Sequence, residues 1–304
     1  MLAGEKILIT GAAGRVAFPI ARALARENEV YGLARFGDPA NRARLEALGI
    51  TCVQKDLSRD DFGDLPQDFG YVFHAGAVFG EEGERDWRYM FDANVQGTGR
   101  LMQHCRAAKG FVHCSTGSVY RYQGPRPLKE SDPPGVHIGA YSLSKIAAES
   151  VVTFVARSWE IPTSIIRICS TYGPTGGAPA DRLDALINGR AIRLHPDKPN
   201  YFNPIYEDDY VELGIRAMLA ARTPPLVVNW AGSESVSAEE YCEYMGKLVG
   251  IEPKFVYTED AYTPLRPDVS LMHEVLGRTR VPWKDGMRRM LQARYPHLPL
   301  REVR

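Results

Sequence analysis

The stretch Lys6-Ile-Leu-Ile-Thr10-Gly11-Ala-Ala-Gly14-Arg15-Val-Ala17 decides the fold of this chain. It begins as a short apolar run of strand length and leads into a helical pattern over residues 18–26. Gly11 permits a tight turn between the two, and Gly14 lets the backbone approach a pyrophosphate at the helix N-terminus, where N–H groups and the helix dipole favour anions. The pattern predicts dinucleotide binding through a group of adjoining residues: Gly11, Ala13, Gly14, Arg15 and Val16.

The rest of the first half repeats this alternation of strands and helices. Apolar runs of strand length occur at residues 6–9, 29–33, 51–54, 71–74, 111–114 and 163–168, and long helical patterns occur at 86–108 and 140–159. Continuous rather than alternating apolar strands are typical of a parallel sheet covered on both faces. We therefore expect an α/β fold with a doubly wound, Rossmann-type parallel sheet.

The sequence pattern changes after about residue 173. Loops rich in Pro, Gly and Asn occur at 173–179 and 194–204, and helical segments follow at 207–221, 237–249 and 285–293. This pattern favours a small mixed C-terminal lobe. We predict a dinucleotide-binding domain over residues 1–173 and a mainly substrate-binding lobe over 174–304, with 205–230 returning to the main sheet through a strand at 226–229.

The composition excludes several classes of protein. The 304 residues include 37 basic and 37 acidic side chains, so there is no electrostatic case for a nucleic-acid or membrane partner. Five scattered cysteines without a CxxC pair fit reduced thiols better than disulfides or a zinc site, and no metal is expected. No apolar run is long enough to span a membrane, and the start of the chain is unlike a signal peptide. A cytoplasmic protein is expected.

The end of the second strand bears on the choice of cofactor. An NAD site usually presents a carboxylate there, but this chain has Ala34 and Arg35, and its first carboxylate is Asp38. The Arg35 guanidinium is suited to a 2′-phosphate, which favours NADP over NAD without excluding NAD. After the third strand, Asp56 and Leu57 are candidates for contact with the adenine.

A second group of residues has the spacing expected of a catalytic site. Tyr141 and Lys145 lie at positions i and i+4, on one face of the predicted helix. A nearby ammonium favours phenolate over phenol and so should lower the pKa of Tyr141. The fifth strand ends in Ser115 and Thr116, whose hydroxyls should lie at the carboxyl edge of the sheet, where open α/β folds bind ligands.

Taken in order, these motifs resemble the extended short-chain dehydrogenase/reductase superfamily, of the NAD(P)-dependent epimerase/dehydratase type. The resemblance also rests on His74–Ala77, Asn94–Thr98, Arg167–Pro174 and Asn203–Asp209. It implies that Tyr141 is the acid/base, that Lys145 anchors the nicotinamide ribose and that Thr116 orients the substrate oxygen. It also implies further cofactor contacts, with Asn94 bracing the central helix: Ala75, Gly76, Ala77, Asn94, Tyr141, Lys145, Ile168 and Ser170.

The chain departs from its nucleotide-sugar relatives at several positions. Gly117 and Ser118 follow Thr116 where the dehydratases carry an acid, which disfavours dehydration. Ser170 and Phe202 stand where those relatives tend to hold the diphosphate with Asn and Arg. Arg193, Lys198 or Arg266 are the possible substitutes. Candidate substrate contacts lie after the fifth strand and in the later loops: Ser115, Thr116, Gly117, Ser118, His195 and Phe202.

Three functions stay open on these grounds. The leading one is an NAD(P)-dependent oxidoreductase acting on a small carbonyl or alcohol, and the second is a sugar or nucleotide-sugar epimerase that keeps its cofactor bound. A cofactor-binding regulator without turnover is the third, and the complete set of Thr116, Tyr141 and Lys145 argues against it. A homodimer through the helical stretches 86–108 and 140–159 is expected.

Overall fold

The computed structural model describes residues 2–135 and 139–303 of the chain. Seven strands form one sheet in the order β11-β6-β5-β4-β1-β2-β3. The strands are β1 Lys6–Thr10, β2 Glu29–Ala34, β3 Thr51–Gln54, β4 Tyr71–His74, β5 Gly110–Thr116, β6 Thr163–Ile168 and β11 Leu226–Trp230. Strand β1 pairs in parallel with β2 and β4, as do β2 with β3 and β4 with β5. The predicted Rossmann-type α/β fold is confirmed.

Helices cover the sheet and continue into the second half of the chain. They are α1 Ala17–Leu24, α2 Pro39–Glu46, α3 Glu81–Arg85, α4 Trp87–Phe91, α5 Thr98–His104, α6 Gly139–Ser158, α7 Ala178–Ile187, α8 Glu207–Leu219, α9 Ala238–Val249, α10 Ser270–Val275 and α11 Trp283–Arg294. A π-helical segment Asp92–Gly97 joins α4 to α5, and a 3₁₀ turn Gly117–Val119 follows β5. Short strands complete the chain: β7 Thr171–Tyr172, β8 Ile192–Leu194, β9 Tyr201–Phe202, β10 Ile205–Tyr206, β12 Val236–Ser237 and β13 Phe255–Tyr257.

Contacts between residues divide the chain into two compact units. Unit 1 comprises residues 1–121, 133–167 and 214–228, and unit 2 comprises 122–132, 168–213 and 229–304. In unit 1 the sheet is apolar on both faces, with Ile7, Leu8 and Ile9 of β1 all fully buried, which explains why the strands read as continuous apolar runs. Unit 2 has its own apolar core, built largely from α7, α9 and α11.

The long helix predicted over residues 86–108 is interrupted. The structure has α4, the π-helical segment and α5 instead of one helix, and Asn94 lies within the π-helical segment. Such segments often occur at functional sites, and apolar periodicity alone does not reveal them. Helix α7 was missed because its N-terminus follows a run of Gly and Pro that reads as a loop.

Two general features bear on the earlier expectations. None of the described helices is long and apolar enough to cross a membrane. All five cysteines are free thiols, four of them buried, and the cytoplasmic location expected from their pattern stays a prediction.

Candidate active site

A groove in unit 1 runs along the carboxyl ends of β1, β2 and β4. Nine of the residues predicted to bind a cofactor line it: Gly11, Ala13, Gly14, Arg35, Asp56, Leu57, Ala75, Gly76 and Ala77. Gly11 has φ +64°, and a Cβ on it would lie 2.9 Å from the Cα atom of Gly76. This position therefore requires glycine both for the turn and for the close approach of the two loops.

The N-terminus of α1 fits an anionic group. Val16, at the N-cap position, makes no side-chain capping bond, and the first turn of α1 carries no acidic residue. Helix N-termini are normally satisfied by such groups, so an anion from a ligand suits this one. The backbone N–H of Gly14 bonds to the Gly11 carbonyl at 2.7 Å, which fixes the loop before the helix begins. The donor set present therefore fits the pyrophosphate of a dinucleotide.

One end of the groove holds a polar triad of exposed Arg35, half-buried Tyr89 and buried Asp56. Arg35 donates to the hydroxyl of Tyr89 at 2.8 Å, and that hydroxyl donates to Asp56 at 3.2 Å. Burial works to raise the pKa of Asp56, but hydrogen bonds from the backbone and hydroxyl of Ser58 and from Tyr89 outweigh it and lower the pKa. Asp38, the first carboxylate after β2, accepts from the Ala40 N–H at 2.9 Å and caps α2. Arg35 is therefore the charged group that β2 presents to this end of the groove.

The wall beside Gly76 rests on a buried chain of hydrogen bonds. The Gly76 N–H donates to the hydroxyl of Thr10 at 2.9 Å, and that oxygen lies 2.6 Å from Nδ1 of His74. On the other side of the ring, Nε2 lies 2.8 Å from the Thr98 hydroxyl, which donates to the Asn94 carbonyl at 2.7 Å. This chain ties the first strand, the wall of the groove and the π-helical segment into one rigid assembly.

The side chain of Asn94 extends this assembly to α6. Its Oδ1 accepts from the Val78 N–H at 2.7 Å, and its Nδ2 donates to the Val78 carbonyl at 2.8 Å and to the Ser144 hydroxyl at 3.0 Å. Ser144 in turn donates to the carbonyl of Tyr141 at 2.8 Å. Asn94 therefore joins the wall of the groove to α6. This is the structural role that the resemblance implies, and Asn94 is not itself among the residues lining the groove.

Tyr141 stands beside the groove and contacts Thr116. The ring of Phe79, which lines the groove, meets the Tyr141 ring edge-on with centroids 6.2 Å apart. Burial and the nearby Cys114 raise the pKa of Tyr141 to about 12, and the hydrogen bond with Thr116 offsets this in part. The lowered tyrosine pKa expected from Lys145 is therefore not what the structure shows, because burial of the phenol dominates.

Lys145 is buried one helical turn beyond Tyr141. It is 2% exposed, and burial lowers its pKa to about 8 against the favourable influence of Cys114 and Glu149. Its Nζ lies 3.3 Å from Nε2 of His113, which is fully buried on β5. This contact was not predicted, because it depends on the face of β5 that meets α6.

A third turn of α6 carries Glu149, which holds the end of β5. Ser115 donates to Glu149 at 2.5 Å, and Arg167 binds the same carboxylate through two nitrogens at 3.0 and 2.7 Å. The Arg167 guanidinium also stacks over the ring of Tyr120 at 4.8 Å. Ser115 is thus bound to Glu149 rather than presented with Thr116, so its expected role in contacting a substrate stays a prediction.

Comparison with known proteins identifies the family. Residues 7–229 match the model of the NAD dependent epimerase/dehydratase family. The chain belongs to this family. A probable UDP-glucuronate 4-epimerase of Rhizobium meliloti is 25% identical over 282 residues, covering 81% of this chain and 82% of that protein. The UDP-glucose 4-epimerase of Mycolicibacterium smegmatis is 29% identical over 233 residues, covering 70% and 72%.

Solved structures of family members have the same fold. The UDP-glucuronic acid 4-epimerase of Bacillus cereus, in complex with UDP-glucuronic acid and NAD, aligns with a TM-score of 0.83 at 22% identity over 96% of this chain and 99% of that one. A UDP-N-acetylglucosamine 4-epimerase from Methanobrevibacter ruminantium aligns with a TM-score of 0.85 at 18% identity over 96% and 98%. The resemblance to the extended short-chain dehydrogenase/reductase superfamily is confirmed.

Several predicted residues of this family member lie outside the groove lining. Arg15 and Val16 belong to the loop that leads into α1 but do not line the groove, and Ile168 and Ser170 belong to unit 2. Ser170 has φ +53°, which is unusual for a residue with a side chain, and its buried hydroxyl has no partner among the described residues. Ser118 donates its N–H to the Thr116 hydroxyl at 3.2 Å, so the Thr116 side chain caps the turn after β5.

Unit 2 contains a separate pocket with two cations. Lys198 and Arg266 line it together with one carboxylate, two aromatic rings, a glycine and a group of prolines: Asp197, Tyr122, Tyr201, Gly124, Pro125, Pro196, Pro199 and Pro264. Arg193, the third substitute considered, is absent from this lining and pairs with Asp260 at 3.3 Å.

The other candidate residues of unit 2 lie close to charged groups. The rings of His195 and Tyr122 meet edge-on with centroids 5.7 Å apart, and Nε2 of His195 lies 3.3 Å from Glu259. The guanidinium of Arg182 lies 5.1 Å from the centroid of the Phe202 ring and donates to the hydroxyl of Tyr241. A cation therefore lies beside the position at which an arginine was expected.

Sequence reasoning missed part of the groove lining. The additional residues are Leu33, Lys55, Val78, Phe79, Tyr89 and Ala93. Val78 and Phe79 directly follow the predicted Ala75–Ala77 loop, so extending that loop by two residues would have found them. Tyr89 and Ala93 come from α4 and the π-helical segment, and no local signal distinguishes them from ordinary core residues.

Proposed function

We propose that this protein transfers a hydride between a nicotinamide dinucleotide and a hydroxyl-bearing carbon of a nucleotide sugar, as a 4-epimerase does. The observation that carries the proposal is the position of Tyr141, which packs against the groove-lining Phe79, bonds to Thr116 and precedes Lys145 by one helical turn. The relatives that act on UDP-sugars favour this function over the small carbonyl or alcohol substrate, which the sequence placed first.

The residues of the chain divide the work of such a reaction. The glycine loop with Ala75, Gly76 and Ala77 would hold the dinucleotide, which would supply the acceptor and donor of the hydride. Tyr141 accepts the proton of the substrate hydroxyl as phenolate and returns it as phenol. Thr116 orients the phenol and the substrate oxygen through its hydroxyl. Lys145 would bind the nicotinamide ribose, and its charge would have to favour the phenolate against the burial that raises the pKa of Tyr141 to about 12.

The pocket in unit 2 supports an anionic substrate. Two tyrosine rings and the cations of Lys198 and Arg266 suit a group that combines a flat ring with phosphate. Arg182, over the ring of Phe202, is a further cation of this unit, which the sequence pattern did not single out. We keep residues 174–304 as the mainly substrate-binding part of the chain, with His195 and Phe202 among its candidate contacts.

We further propose that the cofactor is NADP or NAD, with Arg35 favouring NADP. The support is that Asp38 is engaged as the cap of α2 and that Arg35 lines the groove. The Bacillus cereus epimerase was solved with NAD, which favours the other cofactor. Separate titrations with the two reduced cofactors decide between them.

A homodimer also remains a proposal. The apolar residues of α4 to α6 that first indicated it lie mostly in the core of the chain itself, since Met90, Leu101 and Val152 are fully buried. Helix α6 instead exposes Leu143 and Phe154, the latter to 71%. Light scattering at micromolar concentration tests this, and a monomer mass would refute the dimer.

The experiment that tests the function combines two measurements. The purified protein is dialysed and its nicotinamide absorbance recorded, and it is then incubated with UDP-glucose or UDP-glucuronate and followed by proton NMR. Retained cofactor and appearance of the 4-epimer support the proposal. Exchangeable cofactor with net reduction of simple aldehydes or ketones would favour the oxidoreductase on small substrates instead.

A further inference from the structure

Two buried histidines lie side by side beneath the catalytic helix, and only one of them is fully hydrogen-bonded. His74 of β4 and His113 of β5 have ring centroids 5.5 Å apart and are at most 1% exposed. Burial lowers the pKa of His74 to about 3 and that of His113 well below its usual value. Both rings are therefore neutral at physiological pH, so each carries one proton on one nitrogen.

The neighbours of His74 fix its tautomer. The hydroxyl proton of Thr98 is donated to the Asn94 carbonyl, so the Thr98 oxygen accepts from Nε2–H of His74. Its Nδ1 then accepts from the hydroxyl of Thr10, whose oxygen accepts the Gly76 N–H. Both nitrogens of this ring are satisfied, which suits a residue that supports the wall of the groove.

The neighbours of His113 require the opposite tautomer. The ammonium of Lys145 has protons only to donate, and it lies 3.3 Å from Nε2 of His113. Nε2 must therefore be the unprotonated nitrogen, and the ring proton is on Nδ1. That Nδ1 is buried and has no hydrogen-bond partner among residues 2–135 and 139–303. An unpartnered buried donor costs free energy, which indicates that the ring contributes through its other nitrogen, Nε2.

We propose that His113 is a positioning residue for the catalytic lysine: its Nε2 accepts a hydrogen bond from the Lys145 ammonium and holds that charge in place below Tyr141. The inference rests on the proposed function, since it assigns a role to a contact of Lys145. A neutral acceptor holds the ammonium without neutralising its positive charge in a salt bridge. The single acceptor aims one N–H bond at β5 and leaves the other two hydrogens for other partners.

The groups around Lys145 must be considered together in any test. His113 and Cys114 approach it from β5, His74 from β4, and Glu149 acts on it from the same helix. Of these, only His113 makes a direct hydrogen bond to the Lys145 ammonium within the described part of the chain. Removing its acceptor should therefore change the protonation of Lys145 without changing the other three groups.

The first test is a measurement on the unaltered chain, and two variants serve only to assign its signals. Nitrogen-15 NMR of histidine-labelled protein at pH 7 should show His113 protonated at Nδ1 and His74 protonated at Nε2, with the signals assigned by their loss in His113→Gln and His74→Gln. Finding His113 protonated at Nε2 would overturn the proposal, because that nitrogen could not then accept from the ammonium.

The second test measures the protonation of the lysine itself. In protein labelled with carbon-13 at lysine Cε, the Lys145 resonance is identified by its loss in Lys145→Met and titrated with pH. His113→Met removes the acceptor and should lower the Lys145 pKa by about one to two units. His113→Gln keeps an acceptor at a similar position and should restore it, and Val112→Ala on the same buried strand should leave it unchanged.

The outcomes separate this inference from the proposed function. An unchanged Lys145 pKa in His113→Met, or an equal shift in Val112→Ala, would show that His113 only fills space. Neither measurement depends on turnover, so the inference about His113 can be tested even if no UDP-sugar is converted. Should His113→Met fail to fold, the tautomer measurement on the unaltered chain still decides.

Discussion

The two ends of the groove in unit 1 use polar side chains in opposite ways. At the end near β2, Arg35 is exposed and Tyr89 half-buried, so water competes for their hydrogen bond and it contributes little, although Asp56 behind them is buried. At the end near α6, Lys145 and His113 are almost completely buried, so water cannot replace a hydrogen bond that is lost there. We therefore expect substitutions near α6 to have large effects and substitutions near β2 to have small ones.

The largest effect is expected from Tyr141→Phe. The change removes the hydroxyl that transfers the proton and keeps the ring that packs on Phe79. Loss of a positioned acid/base typically lowers turnover by about 10²–10⁴-fold, so kcat should fall by that factor while the Kd of the cofactor changes little. Stopped assays for kcat and fluorescence titration for Kd measure the two quantities. Turnover close to that of the unaltered protein would remove Tyr141 from the reaction.

The next effect concerns the brace between the groove and α6. Asn94→Ala removes the partners of the Val78 N–H, the Val78 carbonyl and the Ser144 hydroxyl, all in a buried setting. Leaving such groups unsatisfied should lower the free energy of unfolding by about 2–4 kcal/mol, as measured by urea denaturation. The matched control is Gln96→Ala in the same π-helical segment, where the side chain is exposed and donates to Asp92 at 2.8 Å. Equal losses in the two variants would contradict the role assigned to Asn94.

The sequence predicted the parts of the site that depend on local pattern. The glycine loop, the strand ends and the Tyr141–Lys145 spacing follow from periodicity and from the rule that ligands bind at the carboxyl ends of parallel strands. His113 and Glu149 could not be assigned a role, because their partners are set by which faces of β5, β6 and α6 meet. Tyr89 was missed for a similar reason, because the direction of its side chain depends on the interruption of the helix predicted over residues 86–108.

The pH dependence of stability should separate the two ends of the groove further. The pKa of Lys145 is lowered to about 8 in the folded protein, against an ordinary value of 10.5. Between these values the unfolded chain binds a proton that the folded chain has lost, so the free energy of unfolding rises with pH. From pH 8 to 10 the Lys145 contribution should be about 2 kcal/mol.

The control for this prediction is a lysine at the exposed part of the groove. The Lys145 contribution is measured as the difference in the free energy of unfolding between the unaltered protein and Lys145→Met, and this difference should grow by the stated amount from pH 8 to 10. The difference is needed because burial raises the pKa values of Cys105, Cys114 and Cys242 to about 12, so these thiols make stability fall with pH over the same range in both proteins. Lys55→Met should leave the pH dependence of the unaltered protein unchanged, because the hydrogen bond with Asp64 raises the pKa of Lys55 and moves its titration above this window. A difference that does not grow between pH 8 and 10 would show that Lys145 makes no such contribution.

The smallest effect is expected at the exposed end, from Arg35→Ala. An arginine bound to a 2′-phosphate across a solvated surface contributes on the order of 1 kcal/mol, so the Kd of NADPH should rise about five- to tenfold. The Kd of NADH should stay within about twofold, because its ribose offers no phosphate to the guanidinium. Tyr89→Phe serves as the companion variant, since it removes the hydroxyl that holds Arg35 but keeps the charge. Its effect on NADPH binding should therefore be smaller than that of Arg35→Ala. If both cofactors lost affinity equally in Arg35→Ala, the arginine would support the shape of the groove rather than recognise phosphate, and NAD would be the better assignment.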